Sequence, residues 1–240
     1  MFPMSQFRKI PAAVSGFTLI ELCVSTAIIG LLVTLLVVAT TRIQASATAS
    51  GCLHVLRQYG AAFNLYAADN NDTFPSGASS EKWYSTLAPY MGATNAIKQA
   101  RGGTCPELAR RFNQYADYFT GGVRREDRRG YQYNRYLNPG TEGSEPIRRA
   151  ALADRLSRTL LLWEGVGVGS DSRHISGYPG GSYTYPKYRH HGTMNLLMTS
   201  GEVVSRKGVY NPDERVADAA LPVEEGGINW KKSGDPFYFK

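Results

Sequence analysis

The sequence predicts an α+β fold, in which a long N-terminal α-helix packs on a small antiparallel β-sheet with a loop-rich C-terminal region. An almost unbroken apolar run extends from Leu22 to Ala39, and we expect this first half of the helix to be embedded in a membrane. No proline occurs between Thr41 and Asp69, where apolar side chains recur at helical three- and four-residue spacing. Segments with strand patterns and turn residues follow in the second half of the chain.

The composition suits one membrane helix and one modest globular domain. Of the 240 residues, 42% are hydrophobic and 20% are charged, with 27 basic and 20 acidic residues. This mild basic excess favours acidic surfaces in general and indicates no particular partner. The run Arg124–Arg129 has two acids at its centre that cancel half of its charge, so we expect a solvated loop there and no nucleic-acid partner.

A single charge, Glu21, interrupts the apolar segment that begins at Phe17. As an α-helix this segment rises about 1.5 Å per residue, and it is long enough to cross a hydrocarbon core of about 30 Å. We therefore predict a leader at residues 1–16, a single-pass membrane helix at residues 17–41 and a globular domain at residues 42–240.

The leader differs from an ordinary secretory signal. In such a signal the small-residue cleavage site follows the apolar core, whereas Gly16 precedes it, so a cut after Gly16 leaves the whole helix on the mature protein. A carboxylate in a membrane helix costs up to about 2.5–3.5 kcal/mol and is functional by default. After the cut, the new α-amino group of Phe17 is the natural partner of Glu21, within the chain or from a neighbour. The alternative is an uncleaved signal anchor with Glu21 among the lipid headgroups.

The hexapeptide Gly16-Phe17-Thr18-Leu19-Ile20-Glu21, with a basic leader before it and the apolar helix after it, resembles the processing site of type IV pilins and type II secretion pseudopilins. In that family a membrane-embedded prepilin peptidase cuts after the glycine and methylates the new amino terminus. The resemblance implies that Gly16 is the cut position, Phe17 the methylated terminus and Glu21 the carboxylate that guides assembly into a helical filament. It also implies the pilin fold.

The resemblance implies a structural subunit of a type IV pilus-like filament, in particular a pseudopilin of a type II secretion system. Such a subunit is held in the inner membrane, with its C-terminal domain in the periplasm or in the filament. Its partners are copies of itself or other pilins and pseudopilins, the prepilin peptidase, the inner-membrane assembly platform and membrane lipid. The alternative is a minor pilin or adhesin whose loop Gly165–Tyr185 binds a surface or a glycan. No enzyme and no cofactor are expected, because no nucleophile motif accompanies the histidines.

Later landmarks resemble a large pilin-like family with a His-x9-Asp-Gly signature near its C-terminus. Counted from His190, the signature falls on Ser200 and Gly201, so serine stands where the family has aspartate. We expect His190 to hydrogen-bond a backbone group near Ser200 and to hold the turn there. Since adjacent strand residues face opposite sides, we expect His190 and His191 to serve packing and not metal binding.

The chain has three cysteines. Cys23 lies in the apolar helix, whereas Cys52 and Cys105 lie outside the membrane, where an oxidising compartment permits a disulfide between them. Two separate reduced, buried thiols are the alternative. No metal site is expected, because no Cys-x-x-Cys motif or clustered His/Cys spacing exists.

The long helix is expected to extend into the globular domain, and shorter helices are expected after it. We expect the long helix to continue to about residue 68 and to end at Asp69–Asp72, which we interpret as Asx turns in preference to a calcium loop. One face of this helix is expected to lie against the sheet, and it contains Leu53, Leu56, Gly60, Phe63 and Ala67. A short helix is predicted at Trp83–Gly92 and a weak one at Glu107–Phe119.

Three regions have strand patterns. Alternation predicts a strand at Tyr131–Leu137, and an apolar run predicts a buried strand at Arg158–Glu164. A β-hairpin is predicted from Tyr188–Met198 through a turn at Thr199–Gly201 to Glu202–Val204.

Overall fold

The structure is a computed structural model in which the chain forms two units, Met1–Gln44 and Ala45–Lys240. The first unit contains the beginning of helix α1 (Leu19–Asp69), and the second contains the end of α1 and the β-sheet. The described residues are 16, 18–77, 83–92, 103–108, 130–138, 145–167, 176–177, 184–212, 217–228 and 230.

The first unit exposes apolar side chains on every face of α1. Leu19–Val37 has a mean hydropathy of 2.4, and none of this stretch is buried. A helix that is hydrophobic all round needs an apolar environment on all sides. By length and composition the stretch is therefore a candidate membrane span, and the same properties are compatible with a membrane anchor and with a signal sequence.

In the second unit, one stripe of α1 is buried against the sheet. Leu56, Gly60, Phe63 and Ala67 all lie in this stripe, as predicted, while Leu53 is half-buried beside it. These residues share a face because helical positions three and four residues apart lie above one another. The chain is thus mixed α+β, with the helix packed on one face of a sheet.

Helix α1 ends at Asp69 because the next residues adopt left-handed turn conformations. Asn71 and Asp72 have φ of 53° and 58°, values that asparagine and aspartate tolerate better than other side chains. The backbone N–H of Asp72 donates to the carbonyl of Ala67 over 2.8 Å, and the Asp72 carboxylate accepts the N–H of Ala150 over 2.6 Å. The polar run Asp69–Asp72 therefore ends the helix and joins it to the 3₁₀ helix that follows residue 148.

The described residues form a seven-stranded sheet in the order β3-β1-β2-β5-β6-β7, with β4 paired to β2. The strands are β1 (Tyr131–Asn134), β2 (Leu160–Gly167), β3 (Ser176–Gly177), β4 (Thr184–Pro186), β5 (Thr193–Met198), β6 (Val203–Val209) and β7 (Ala219–Ala220). Neighbouring strands are antiparallel except β1 and β3. The described connecting segments contain the short helix α2 (Trp83–Thr86) and 3₁₀ turns.

The β5–β6 hairpin is confirmed, with Leu197 opposite Val203 in its register. The strand predicted from Tyr188 onwards is wrong in its first part, since β5 begins at Thr193. His191 and Gly192 have φ of 53° and 77°. Two successive left-handed residues bend the backbone into a turn, which an extended strand does not tolerate.

The other strand predictions are confirmed with different boundaries. Strand β1 ends at Asn134, because the carbonyl of Asn134 accepts the N–H of Leu137 and closes a turn. The loop predicted at Gly165–Tyr185 is wrong at both ends, where Gly165–Gly167 pairs with Thr184–Pro186. Most of that loop lies outside the described residues, as do Arg124–Arg129 and most of Glu107–Phe119.

Aromatic rings fill the space between α1 and the sheet. Phe63 stacks on Trp83 with ring centroids 5.8 Å apart and on Tyr133 at 5.6 Å. On the other face of the sheet, Trp163 meets Trp230 edge to face at 6.1 Å. Both faces of the central strands are therefore covered, and any polar group on them needs a partner inside the protein.

Gly60 sets the closest approach of α1 to the β5–β6 turn. A Cβ atom there would lie 3.1 Å from Leu197 Cδ1 and 3.5 Å from the carbonyl oxygen of Gly201. We predict that Gly60→Val lowers the free energy of unfolding by about 1–3 kcal/mol, the usual cost of overpacking a core. Ala61→Val is the matched control, because Ala61 is exposed on the same helix turn. Thermal unfolding of the detergent-solubilised chain compares the two, and equal melting temperatures would contradict the prediction.

Candidate functional site

The sequence-predicted processing residues lie in the first unit. Gly16 is exposed, and no atom lies within 4 Å of the position where its Cβ would stand. Phe17 lies outside the described residues.

Glu21 is part of a helix cap at the start of α1. Its Oε2 atom accepts hydrogen bonds from the backbone N–H of Thr18 over 2.8 Å and from the Thr18 hydroxyl over 2.7 Å. The backbone N–H of Glu21 donates to Thr18 Oγ1 over 3.3 Å. This reciprocal arrangement is a capping box, which the spacing Thr-x-x-Glu already signals in the sequence. Thr18 was not predicted as a partner of Glu21, for which the sequence indicated only an amino terminus.

The site in the second unit is built around a disulfide between Cys52 and Cys105. Cys52 lies on the buried stripe of α1, and Cys105 lies in the segment 103–108 beside it, with their Cα atoms 4.7 Å apart. Gly51 permits this approach, since a Cβ there would stand 3.0 Å from Pro106 Cγ.

A buried acid–imidazole pair lies beside this disulfide. His190 Nε2 and Glu164 Oε1 are 2.9 Å apart, and both residues are buried. Asn195 holds the carboxylate from the other side, with its backbone N–H 2.8 Å from Oε2 and its side-chain amide 3.2 Å from Oε1. Burial of a carboxylate requires such partners, because desolvation penalises an unpaired charge.

The expectation that His190 bonds near Ser200 is wrong. His190 lies in the turn before β5, whereas Ser200 and Gly201 follow the far end of that six-residue strand. At about 3.3 Å per residue a strand of this length keeps its ends about 20 Å apart. Ser200 instead donates its N–H to the carbonyl of Leu156 over 3.0 Å, and its hydroxyl accepts the N–H of Glu202 over 3.3 Å. Gly201 completes that turn with a φ of 89°.

The disulfide and the acid–imidazole pair form one cluster. One ligand-type atom from each of Cys52, Cys105, Glu164 and His190 lies within 4.8 Å of the other three. Within the described part of the chain, this is the one place where such side chains converge. The four residues come from α1, the segment 103–108, β2 and the turn before β5, so no short-range spacing in the sequence signals the cluster.

A tyrosine and an arginine lie beside the cluster. The Tyr131 hydroxyl donates to the carbonyl of Cys52 over 3.0 Å. Burial raises the pKa of Tyr131 well above its usual value, and the negative charge of Glu164 raises it further, so the phenol stays neutral. Arg189 is buried and donates to the carbonyl of Gly130 over 3.3 Å.

A cavity of about 170 Å³ opens beside His190. It is lined by Ala45, Thr48, Glu107, Arg189, His190, His191 and Tyr210. His190 therefore connects the buried cluster with a polar opening, although it is itself only 8% exposed.

A second buried ion pair links the residues before β5 to the residues before β7. Lys187 Nζ lies 2.8 Å from Asp218 Oδ1, and neither side chain is exposed. Asp218 also accepts the backbone N–H groups of Tyr188 and Asn211 over 2.6 and 2.9 Å. Three donors on one buried carboxylate satisfy its hydrogen-bonding capacity and give the pair a structural role. No sequence pattern signals this pair, because the two residues lie in different segments of the chain.

Comparisons with family models, with curated proteins and with solved structures returned no match for this chain.

The acid–imidazole pair is expected to stabilise the second unit. His190→Ala leaves Glu164 Oε1 buried with Asn195 as its remaining partner, which should cost about 3 kcal/mol. His191→Asn is the control, because His191 is exposed and asparagine tolerates its left-handed conformation. Chemical unfolding of both variants, followed by circular dichroism, measures the difference. An unfolding midpoint for His190→Ala as high as that of the control would show that the pair contributes nothing.

Proposed function

We propose that the protein is a structural subunit of a type IV pilus-like filament, most closely of the type II secretion pseudopilin kind. The observation that carries the proposal is the position of the hexapeptide beginning at Gly16. Its first three residues stand directly before a membrane-length apolar stretch, Leu19–Val37, and its last three begin that stretch. The stretch belongs to helix α1, which also carries the buried stripe of the second unit. A cut after Gly16 keeps that helix on the mature chain.

The proposed mechanism is assembly and not catalysis. Processed subunits wait in the inner membrane and then stack with their apolar helices at the filament core. Packing these helices against one another removes their exposed apolar side chains from lipid or water, which supplies most of the cohesion. Apolar helix faces do not by themselves determine the axial position of one subunit relative to its neighbour, since one apolar contact resembles the next.

In this proposal, Glu21 determines the axial offset between neighbouring subunits. Within the apolar stretch a carboxylate must be paired, and in the single chain Thr18 supplies that partner. Removal of residues 1–16 places a charged amine at Phe17, and the amine of a neighbouring subunit is a stronger partner for a desolvated carboxylate than a hydroxyl. The pairing stabilises one axial offset between subunits and disfavours the others.

The adhesin alternative depends on the loop Gly165–Tyr185, most of which lies outside the described residues.

Replacing Glu21 tests the proposal. In the native host, Glu21→Ala should be cleaved and inserted normally, since removing a charge makes insertion easier, but should be lost from filaments sheared from the cell envelope. The yield is measured by immunoblot of the sheared fraction against the membrane fraction. We expect at least a tenfold loss from the filament fraction, which corresponds to about 1.4 kcal/mol for the addition of one subunit.

Two controls separate pairing from helix capping. Ser25→Ala removes a hydroxyl one turn further along α1, which bonds its own helix at the carbonyl of Glu21, and it should assemble normally. Thr18→Val removes the hydroxyl of the cap and keeps the carboxylate, so it should also assemble. Wild-type filament yield from Glu21→Ala would refute the register role. An equal loss of filament yield in Thr18→Val and Glu21→Ala would show that Glu21 acts only as a helix cap.

A further inference from the structure

The cluster beside α1 combines the side chains that zinc prefers. Two cysteine sulfurs, an imidazole nitrogen and a carboxylate oxygen lie within 4.8 Å of one another, and all four residues are buried. Around a tetrahedral zinc ion, with bonds of about 2.0–2.3 Å, neighbouring ligand atoms stand about 3.3–3.8 Å apart. The interatomic distances must change by about 1–2 Å to reach this geometry, the largest change being the separation of the two sulfurs. Thiolate and imidazole ligands select zinc over calcium or magnesium, which take oxygen ligands.

We propose that Cys52, Cys105, Glu164 and His190 form a zinc site that opens when the Cys52–Cys105 disulfide is reduced. The disulfide and the metal exclude each other, because both use the same two sulfurs. The oxidised chain is the form described above, and the reduced chain is the zinc-binding form.

The acid–imidazole pair is already arranged for this exchange. One proton lies between His190 Nε2 and Glu164 Oε1, which are 2.9 Å apart, and a zinc ion bound by both atoms would replace it. Asn195 holds the carboxylate through Oε2 and Oε1, as outer-shell groups hold metal-binding carboxylates in general. Glu164 is thus positioned before the metal arrives.

The charges around the cluster also suit a divalent cation. Two thiolates and the Glu164 carboxylate leave a zinc-bound cluster with one net negative charge. Arg189, which is buried and lines the same cavity as His190, offsets that charge. The cavity gives an ion a way to His190 from solvent.

The chemistry balances with a dithiol as the reductant. The dithiol gives two electrons and two protons to the disulfide, so that the S–S bond breaks, two thiols form and the reagent leaves as its cyclic disulfide. Zinc then displaces both thiol protons to solvent. The imidazole binds zinc through Nε2 as a neutral ligand, so the proton shared by Nε2 and Glu164 Oε1 moves to Nδ1 or to solvent. The two sulfurs move from about 2 Å to about 3.8 Å apart.

The test uses the full-length chain in detergent with Cys23→Ala, so that the two remaining cysteines are Cys52 and Cys105. One sample is reduced with a dithiol that is removed by anaerobic gel filtration, and the other is kept oxidised. Each is equilibrated with zinc and freed of unbound metal, and zinc per chain is measured by mass spectrometry. We expect one zinc ion per reduced chain and none per oxidised chain. Cobalt in place of zinc should show the absorption of a tetrahedral thiolate site in the reduced sample alone.

Variants distinguish a four-ligand zinc site from zinc bound by the two thiolates alone. Glu164→Gln and His190→Gln should each weaken zinc binding by at least about tenfold in the reduced chain, whereas His191→Asn should leave it unchanged. Zinc should also raise the melting temperature of the reduced chain and leave that of the oxidised chain alone. A reduced chain that binds no zinc overturns the proposal, whether or not it folds. Equal affinity in Glu164→Gln, His190→Gln and the control overturns it as well.

Discussion

The contact between the second half of α1 and the β-sheet is the interaction on which the rest of the globular unit depends. Leu56 and Phe63 are fully buried in it, and Gly60 brings the helix within van der Waals reach of the β5–β6 turn. Burial of such side chains contributes about 1.5–3 kcal/mol each and is the main favourable term in folding. The aromatic rings of Trp83 and Tyr133 extend the same contact away from the helix.

The buried polar groups follow from this packing. Helix α1 covers one face of the sheet, and the residues around Ile228 and Trp230 cover the other. Glu164 on the central strand β2 therefore has no access to water. Its carboxylate is then stable only with partners inside the protein, which His190 and Asn195 supply. The buried stripe of α1 also places Cys52 next to the Glu164–His190 pair. The cluster is thus a consequence of how the layers meet.

Local patterns in the sequence predicted much of the fold. The long helix, its buried face and the β5–β6 hairpin each have a periodicity or a turn signal within a few residues, and these predictions are confirmed. The chain reversal at His191 was missed, because left-handed conformations of non-glycine residues have no reliable local signal. The pairing of Glu164 with His190 was missed for a different reason. It depends on strand order and register, which bring together residues from separate elements. The pair Lys187–Asp218 is a further case of this kind.

In the proposed filament role, the apolar helix stays on the mature protein because processing occurs before it. The most direct measurement is the intact mass, with N-terminal fragmentation, of the chain isolated from the membranes of its native host. We expect a chain that begins at Phe17 with a methylated amine, and a Gly16→Val chain that keeps its leader. A mature chain that begins beyond Ala39, or a wild-type chain that still begins at Met1, would contradict it.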